Sequence, residues 1–195
     1  SAADLPDSVL EDLDIHVVPV RVHFGTHSYL DKVGLSSEEF FRELATNPQH
    51  PKTSQPPPGD FRRAFEFLGS HYRTVVYVGL TARVSGTYQS GETAANRART
   101  TARILTVDSG TAALGQGLVA MRAAEVAATG GDAETVRQAA LDARGRTRTW
   151  GQMLRQIEKW FGKAAYPLVF IAPNQYICLF AGAAGMSIRA FVVLN

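Results

Sequence analysis

Cysteine occurs once in the 195 residues, at Cys178. A single thiol cannot form an intrachain disulfide, so the fold needs no oxidising compartment, and a cytoplasmic protein is the expectation. Tyr176, Ile177, Leu179 and Phe180 surround that cysteine with apolar side chains, which reads as a buried hydrophobe rather than a nucleophile. An excess of one charge is also missing. The formal net charge is +2 and the basic residues are scattered, which argues against nucleic acid as a partner. No apolar run is long enough to span a bilayer and no signal-peptide pattern is visible, so stable membrane insertion is not expected.

Several catalytic signatures are absent as well. Gly110 to Gly115 has the glycine spacing of a phosphate-binding loop, but Gln116 stands where the lysine is needed, and Gly86 to Gly91 is followed by Glu92. With 17 glycines in the chain, chance spacing accounts for both. No G-x-S-x-G elbow surrounds Ser85, because Arg83 lies two residues before it. The five histidines, His16, His23, His27, His50 and His71, have no sequence tie to that serine. His23 and His27 are four apart but lie in a strand-to-turn segment, so no metal site is expected and no cofactor is implied.

What is present is a soluble, globular composition, 45% hydrophobic and 19% charged, in a chain long enough for one substantial core or one domain plus part of another. Its organising stretch runs from Thr74 to Ala95. Val75, Val76, Val78 and Leu80 predict an inner strand covered on both faces. The turn Thr81 to Thr87 then leads into a helix from about Tyr88. The first N–H groups of a helix lack partners and carry the positive end of its dipole, so this joint attracts an anion. Ser85 and Thr87 add hydroxyl donors there, and Gly86 allows close approach to the backbone. A plain helix cap at Ser85 is the competing reading.

The remaining pattern alternates. Pro6 to Leu13 reads as a short helix, Ile15 to Phe24 as a strand made an edge by Pro19, and Gly25 to Tyr29 as a turn. Ser36-Ser37-Glu38-Glu39 is a capping box before Phe40, Phe41 and Leu44. Lys52 to Phe61 is a polar loop stiffened by Pro56, Pro57 and Pro58, followed by a helical stripe of Phe61, Ala64, Phe65 and Leu68. Arg103 to Val107 predicts another strand, and Ala112 to Ala128 a helix ended by Gly130-Gly131. Asp132 caps a further helix to about Arg144. Strands alternating with helical crossovers argue for an open, mainly parallel α/β sheet flanked by helices. In the last fifty residues, Gln152 to Phe161 reads as a helix, and Tyr166 to Ile171, Tyr176 to Phe180 and Arg189 to Leu194 as strands.

Four segments in order, SAADLP at the start, KTSQPPPGDF at Lys52, VSGTYQSGETAA at Val84 and VDSGTAALGQG at Val107, resemble the DegV family of bacterial fatty-acid-binding proteins. The resemblance covers about residues 1–143 and implies a strand before Ser1. Gly25-x-x-x-Tyr29-x-Asp31 echoes a further family turn. Pro57 replaces a serine usual at that place. Beyond about residue 150, the family's glycine-arginine signature and late His-x-Gly-Pro-Gly turn have no counterpart; Phe180 and Ala184 stand where that turn would place His and Pro. The implied organisation is a DegV-like head-group domain over residues 1–145 and a partial or divergent C-terminal segment over 146–195.

The resemblance implies a non-catalytic subunit that binds a long-chain fatty acid of the palmitate kind and presents it to an ATP-dependent fatty acid kinase. Carried over residue by residue, Thr53 and Ser85 hold the carboxylate, with Gly86, Thr87 and Ser1 as further members of the site. Arg83 reads as a solvent-facing loop arginine. A charge-assisted hydrogen bond contributes roughly 1.5–3 kcal/mol. A buried methylene contributes about 0.8 kcal/mol, so an acyl chain of about sixteen carbons supplies on the order of 10 kcal/mol before ordering costs. The tail drives affinity and the head fixes orientation. The alternatives are a small hydrolase or transferase acting on an anionic metabolite at the same joint, and a structural or signalling α/β module.

Overall fold

The computed structural model describes residues 1–147, which form one compact unit. The helix and strand expectations placed on residues 152–194, and Cys178, lie outside the described residues.

Ten named elements follow in chain order: α1 (Asp7–Asp12), β1 (Arg21–Phe24), β2 (His27–Leu30), α2 (Ser37–Thr46), β3 (Lys52–Ser54), α3 (Pro58–His71), β4 (Thr74–Gly79), α4 (Thr87–Ala95), β5 (Arg103–Asp108) and α5 (Leu114–Ala128). Residues 133–147 are also helical. β4 and β5 pair in parallel from Thr74 with Arg103 to Gly79 with Asp108. Parallel neighbours need a long crossover, and the segment containing α4 provides it. Alternate side chains of β4 enter different cores, as the two-residue period requires. Val75 and Tyr77 pack with Phe61 and Phe65 of α3 and Ala94 of α4. Val76 and Val78 pack with Val119 and Ala123 of α5 and with Val136, Ala140 and Ala143 of the helix over 133–147. The strand is thus covered on both faces, and the α/β arrangement with helices flanking a parallel pair is the expected one.

A second, antiparallel sheet was not expected. Its order is β2-β1-β3, with Val22 opposite both Tyr29 and Thr53. Gly25 makes the β1–β2 turn at φ 58°, a conformation suited to glycine. β1 is central here, which corrects the edge-strand reading of Ile15 to Phe24. Pro19 falls outside the strand, and its neighbours bond the chain's beginning: Ser1 N donates to Val18 O at 3.2 Å, and Val20 N to Ser1 Oγ at 3.1 Å, while Val20 O accepts from Asp31 N. Lys52–Ser54, read as loop, is a strand. Its three residues are all exposed, so it shows no burial pattern and is defined by pairing alone.

The local signals held. Ser36 Oγ accepts from Glu39 N, and Glu39 Oε2 accepts from Ser36 N, closing the capping box. Asp132 Oδ1 accepts from Thr135 N at 2.8 Å, and these bonds to its charged form hold its carboxyl below the usual range. Two helix starts shift. α3 begins at Pro58 rather than after Gly59, since proline fits a first helical position where no N–H is needed. α5 begins at Leu114 rather than Ala112, because Ala113 adopts φ 53°, ψ −142° and cannot propagate a helix.

Candidate functional site

The ends of β4 and β5 are sewn together by short polar side chains. Ser109 N donates to Gly79 O, Thr81 N to Thr111 O, and the buried Ser109 hydroxyl to that same Thr111 carbonyl at 2.9 Å. Gln116, which occupies the place of a phosphate-loop lysine, donates from Nε2 to Val78 O at 3.2 Å. Its role here is to tie α5 to the strand.

From this platform the chain runs through exposed Arg83 and Val84 to the start of α4. Ser85 Oγ lies 2.9 Å from Thr87 Oγ1 and accepts from Thr87 N at 3.2 Å. Gly86 is the residue before the helix, and no side chain caps it. Ser85 therefore closes a tight local turn rather than a standard cap. One of its lone pairs is occupied by Thr87 N–H. If Thr87 Oγ1 donates the second bond, the serine proton is free to point outward. No acidic residue stands in the first turn, so the positive end of α4 is uncompensated.

The Lys52 to Pro58 segment packs onto this same helix. Ser90 of α4 donates its hydroxyl to Pro56 O at 2.7 Å within a buried contact. The Gln55 side chain occupies the space that a Cβ on Gly86 would need, its Oε1 being the nearest atom. The end of the Gln55 side chain thus lies over Gly86, which modifies the expectation that this glycine simply opens the backbone to a ligand. Thr53 sits two residues before Gln55, exposed on β3, and its hydroxyl has no hydrogen-bond partner among the described residues. The segment that carries Thr53 thus packs, through Gln55 and Pro56, against the start of α4.

Ser1 stands apart from them. Its hydroxyl accepts from Val20 N, its carbonyl accepts from Lys32 Nζ at 3.3 Å, and none of its hydrogen bonds reaches Ser85 or Thr87. The histidines with hydrogen bonds do not reach Ser85 or Thr87: His23 Nε2 lies 2.8 Å from Ser54 Oγ, next to Thr53, and His71 Nδ1 meets Ser70 Oγ and Phe67 O. Among the described residues no group of three or more His, Cys, Asp or Glu could hold a metal ion, and no helix is long and apolar enough to cross a membrane. Two grooves lie away from the Gln55–Gly86 contact. One, of about 520 Å³, runs between α5 and the helix over 133–147 past Arg122, Glu134 and Arg146; the other passes Glu66, Gly69 and Arg99. Both are lined by charged side chains, so neither is the apolar channel an acyl tail would fill.

Sequence reasoning passed over three residues here: Gln55, Ser90 and Tyr77. A signal for part of this was present. Thr87, Ser90, Gly91 and Ala94 recur at helical spacing as a face of small residues, and these four are the buried positions of α4. Small residues at that spacing announce a close neighbour, which turns out to be Tyr77 and the Pro56 loop.

The family model described as uncharacterised protein, DegV family, matches residues 1–152. Protein DegV of Bacillus subtilis (strain 168) is 32% identical over 130 residues, covering 67% of this chain and 46% of that protein. The crystal structure of DegV, a fatty acid binding protein from Bacillus subtilis, matches with a TM-score of 0.70 at 29% identity, over 74% of this chain and 51% of that one. A fatty-acid-binding DegV family protein from Thermus thermophilus matches with a TM-score of 0.66 at 31% identity, over 74% and 51%. The chain spans about half the length of these relatives. With the family model matched over residues 1–152 and relatives above 30% identity sharing the parallel β4–β5 unit's fold, the chain belongs to the DegV family.

Proposed function

We propose that the chain binds a long-chain fatty acid and performs no catalysis on it. Residues 1–145 are the head-group domain and residues 146–195 a partial or divergent C-terminal segment. The observation that carries this reading is the seating of the Thr53 loop on the head of α4 through Gln55–Gly86 and Pro56–Ser90. A threonine hydroxyl with no hydrogen-bond partner among the described residues, on the loop that packs against the start of α4, and the Ser85–Thr87 pair at a helix start without an acidic residue in its first turn support one anionic head group. Thr53 and Ser85 are the principal carboxylate ligands, with Gly86 and Thr87 supporting them. Ser1 is the outermost member, since its hydroxyl already accepts one backbone bond. That Ser85 pairs with a threonine rather than a histidine supports binding over nucleophilic chemistry. Presentation of the bound acid to an ATP-dependent fatty acid kinase, in the cytoplasm, completes the proposal.

Organic extraction of the purified chain, followed by mass spectrometry, tests the reading. A stoichiometric acid of about fourteen to eighteen carbons is expected, the tail being the main source of affinity. An empty protein that turns over ester or phosphate substrates would overturn it. Ser85→Ala is expected to weaken fatty-acid affinity about tenfold or more in titrations, because a charge-assisted bond is lost. Unchanged affinity in a folded variant would remove Ser85 from the site.

A further inference from the structure

Two glycines, one within α4 and one at the end of β4, face one ring. A Cβ on Gly91 of α4 would lie 2.5 Å from Tyr77 Cε1 and 2.6 Å from its Cζ, and one on Gly79 of β4 would lie 2.8 Å from its phenol oxygen. Glycine weakens a helix interior, so Gly91, together with Gly79 at the strand's end, marks a slot held open for one phenol. Aromatic rings close the other sides: Phe61 at 5.2 Å and Phe65 at 5.8 Å, both edge-on, and Tyr88 stacked at 6.1 Å with 14° between planes. Phenylalanine would fill most of that slot, so packing alone leaves the hydroxyl unexplained. The slot aims it at α4, where it donates to Thr87 O at 3.2 Å. Burial first, then the nearby Tyr88 and Asp108, raise the phenol's pKa well above its ordinary value, so it stays a neutral donor.

We infer that Tyr77 is a positioning residue for the head-group site: its O–H pins the first turn of α4 at Thr87 and so fixes the Ser85–Thr87 hydroxyl pair for a carboxylate. The inference rests on the fatty-acid reading above. It makes a distinction that a purely structural tyrosine would not. Loss of the hydroxyl should harm recognition of the acid head and spare the tail.

The test compares palmitic acid with hexadecanol, which has the same tail and no carboxylate, in the full 195-residue chain. Tyr77→Phe is expected to lose about fivefold in affinity for the acid, as for one net hydrogen bond, and to keep the alcohol within about twofold. Tyr88→Phe is the control, since that hydroxyl bonds Glu92 and Thr106 instead, and its acid preference should match the wild type. An unchanged acid preference in Tyr77→Phe, or equal losses for both ligands, overturns the inference. Ser85→Ala separates the two levels. If it abolishes the acid preference while Tyr77→Phe does not, only the role of Tyr77 fails; if it leaves that preference intact, or if the wild type binds neither ligand, the head-group reading falls and takes this one with it. Should Tyr77→Phe not fold, NMR of the wild type decides: the slowly exchanging Tyr77 phenol proton should shift on adding the acid and not the alcohol, and a resonance indifferent to both overturns the inference.

Discussion

Replacing Phe61 by alanine is expected to lower the free energy of unfolding by about 3–5 kcal/mol, the range for truncating a buried aromatic. Phe61 is 2% exposed. It stands in the first turns of α3, edge-on to Tyr77 and 6.1 Å from Phe65, in the cluster that includes Ala94, Val75 and Ile104. Phe65 and Tyr77 are themselves wedged, so the cavity has little means of collapsing. Total stabilities of about 5–15 kcal/mol make this a large fraction of what holds the unit together. Urea unfolding followed by far-ultraviolet circular dichroism gives the number. A loss below about 1 kcal/mol would mean that α3 is not seated on β4 as described.

Gly91→Ala is the second, and its sign is the informative part. In an exposed helix that change gains about 1 kcal/mol. Here the added methyl meets the interior of the Tyr77 ring, which Phe61, Phe65 and Tyr88 prevent from moving aside. Overpacking costs about 1–3 kcal/mol, so the variant should be less stable than the wild type despite its better helix propensity. Gly86→Ala provides the contrast, because its methyl meets the end of an exposed, flexible Gln55 side chain that can swing outward. Its melting temperature should stay close to that of the wild type. Truncating Tyr77 to alanine should turn Gly91→Ala from harmful to neutral or helpful, a coupling that a double-mutant cycle reads directly. A Gly91→Ala protein that melts higher in the presence of Tyr77 would contradict the close contact.

The elements readable from the chain were those whose causes are local or periodic. Ser36 and Glu39 lie three residues apart and satisfy each other's backbone, so their helix start needed no distant partner. The Val75 to Val78 run carried its double burial in its composition. β3 was invisible because Lys52, Thr53 and Ser54 are all exposed and become a strand through pairing with β1. The strand beginning at Ile15 was overextended for a related reason, as Val18 O and Val20 N bond Ser1. The candidate site divides the same way. The Ser85–Thr87 pair spans two residues and was legible. Tyr77 reaches Thr87 across ten residues, and Ser90 meets Pro56 across thirty-four, so only the folded chain reveals them.

Thr53 hangs from the antiparallel sheet, whereas Ser85 follows a strand of the parallel one. Among the described residues no hydrogen-bonded ladder joins the two sheets, so neither ladder sets the gap between those hydroxyls. α3 spans it: Asp60 takes Arg21 of β1 at 3.1 Å, while the next residue, Phe61, presses on Tyr77 of β4. On the proposed reading, the bulk of an aromatic spacer with no polar atom of its own bears on the spacing of the two carboxylate ligands. Trimming or enlarging that spacer would retune which head groups fit, even where the chain tolerates the change and stays folded.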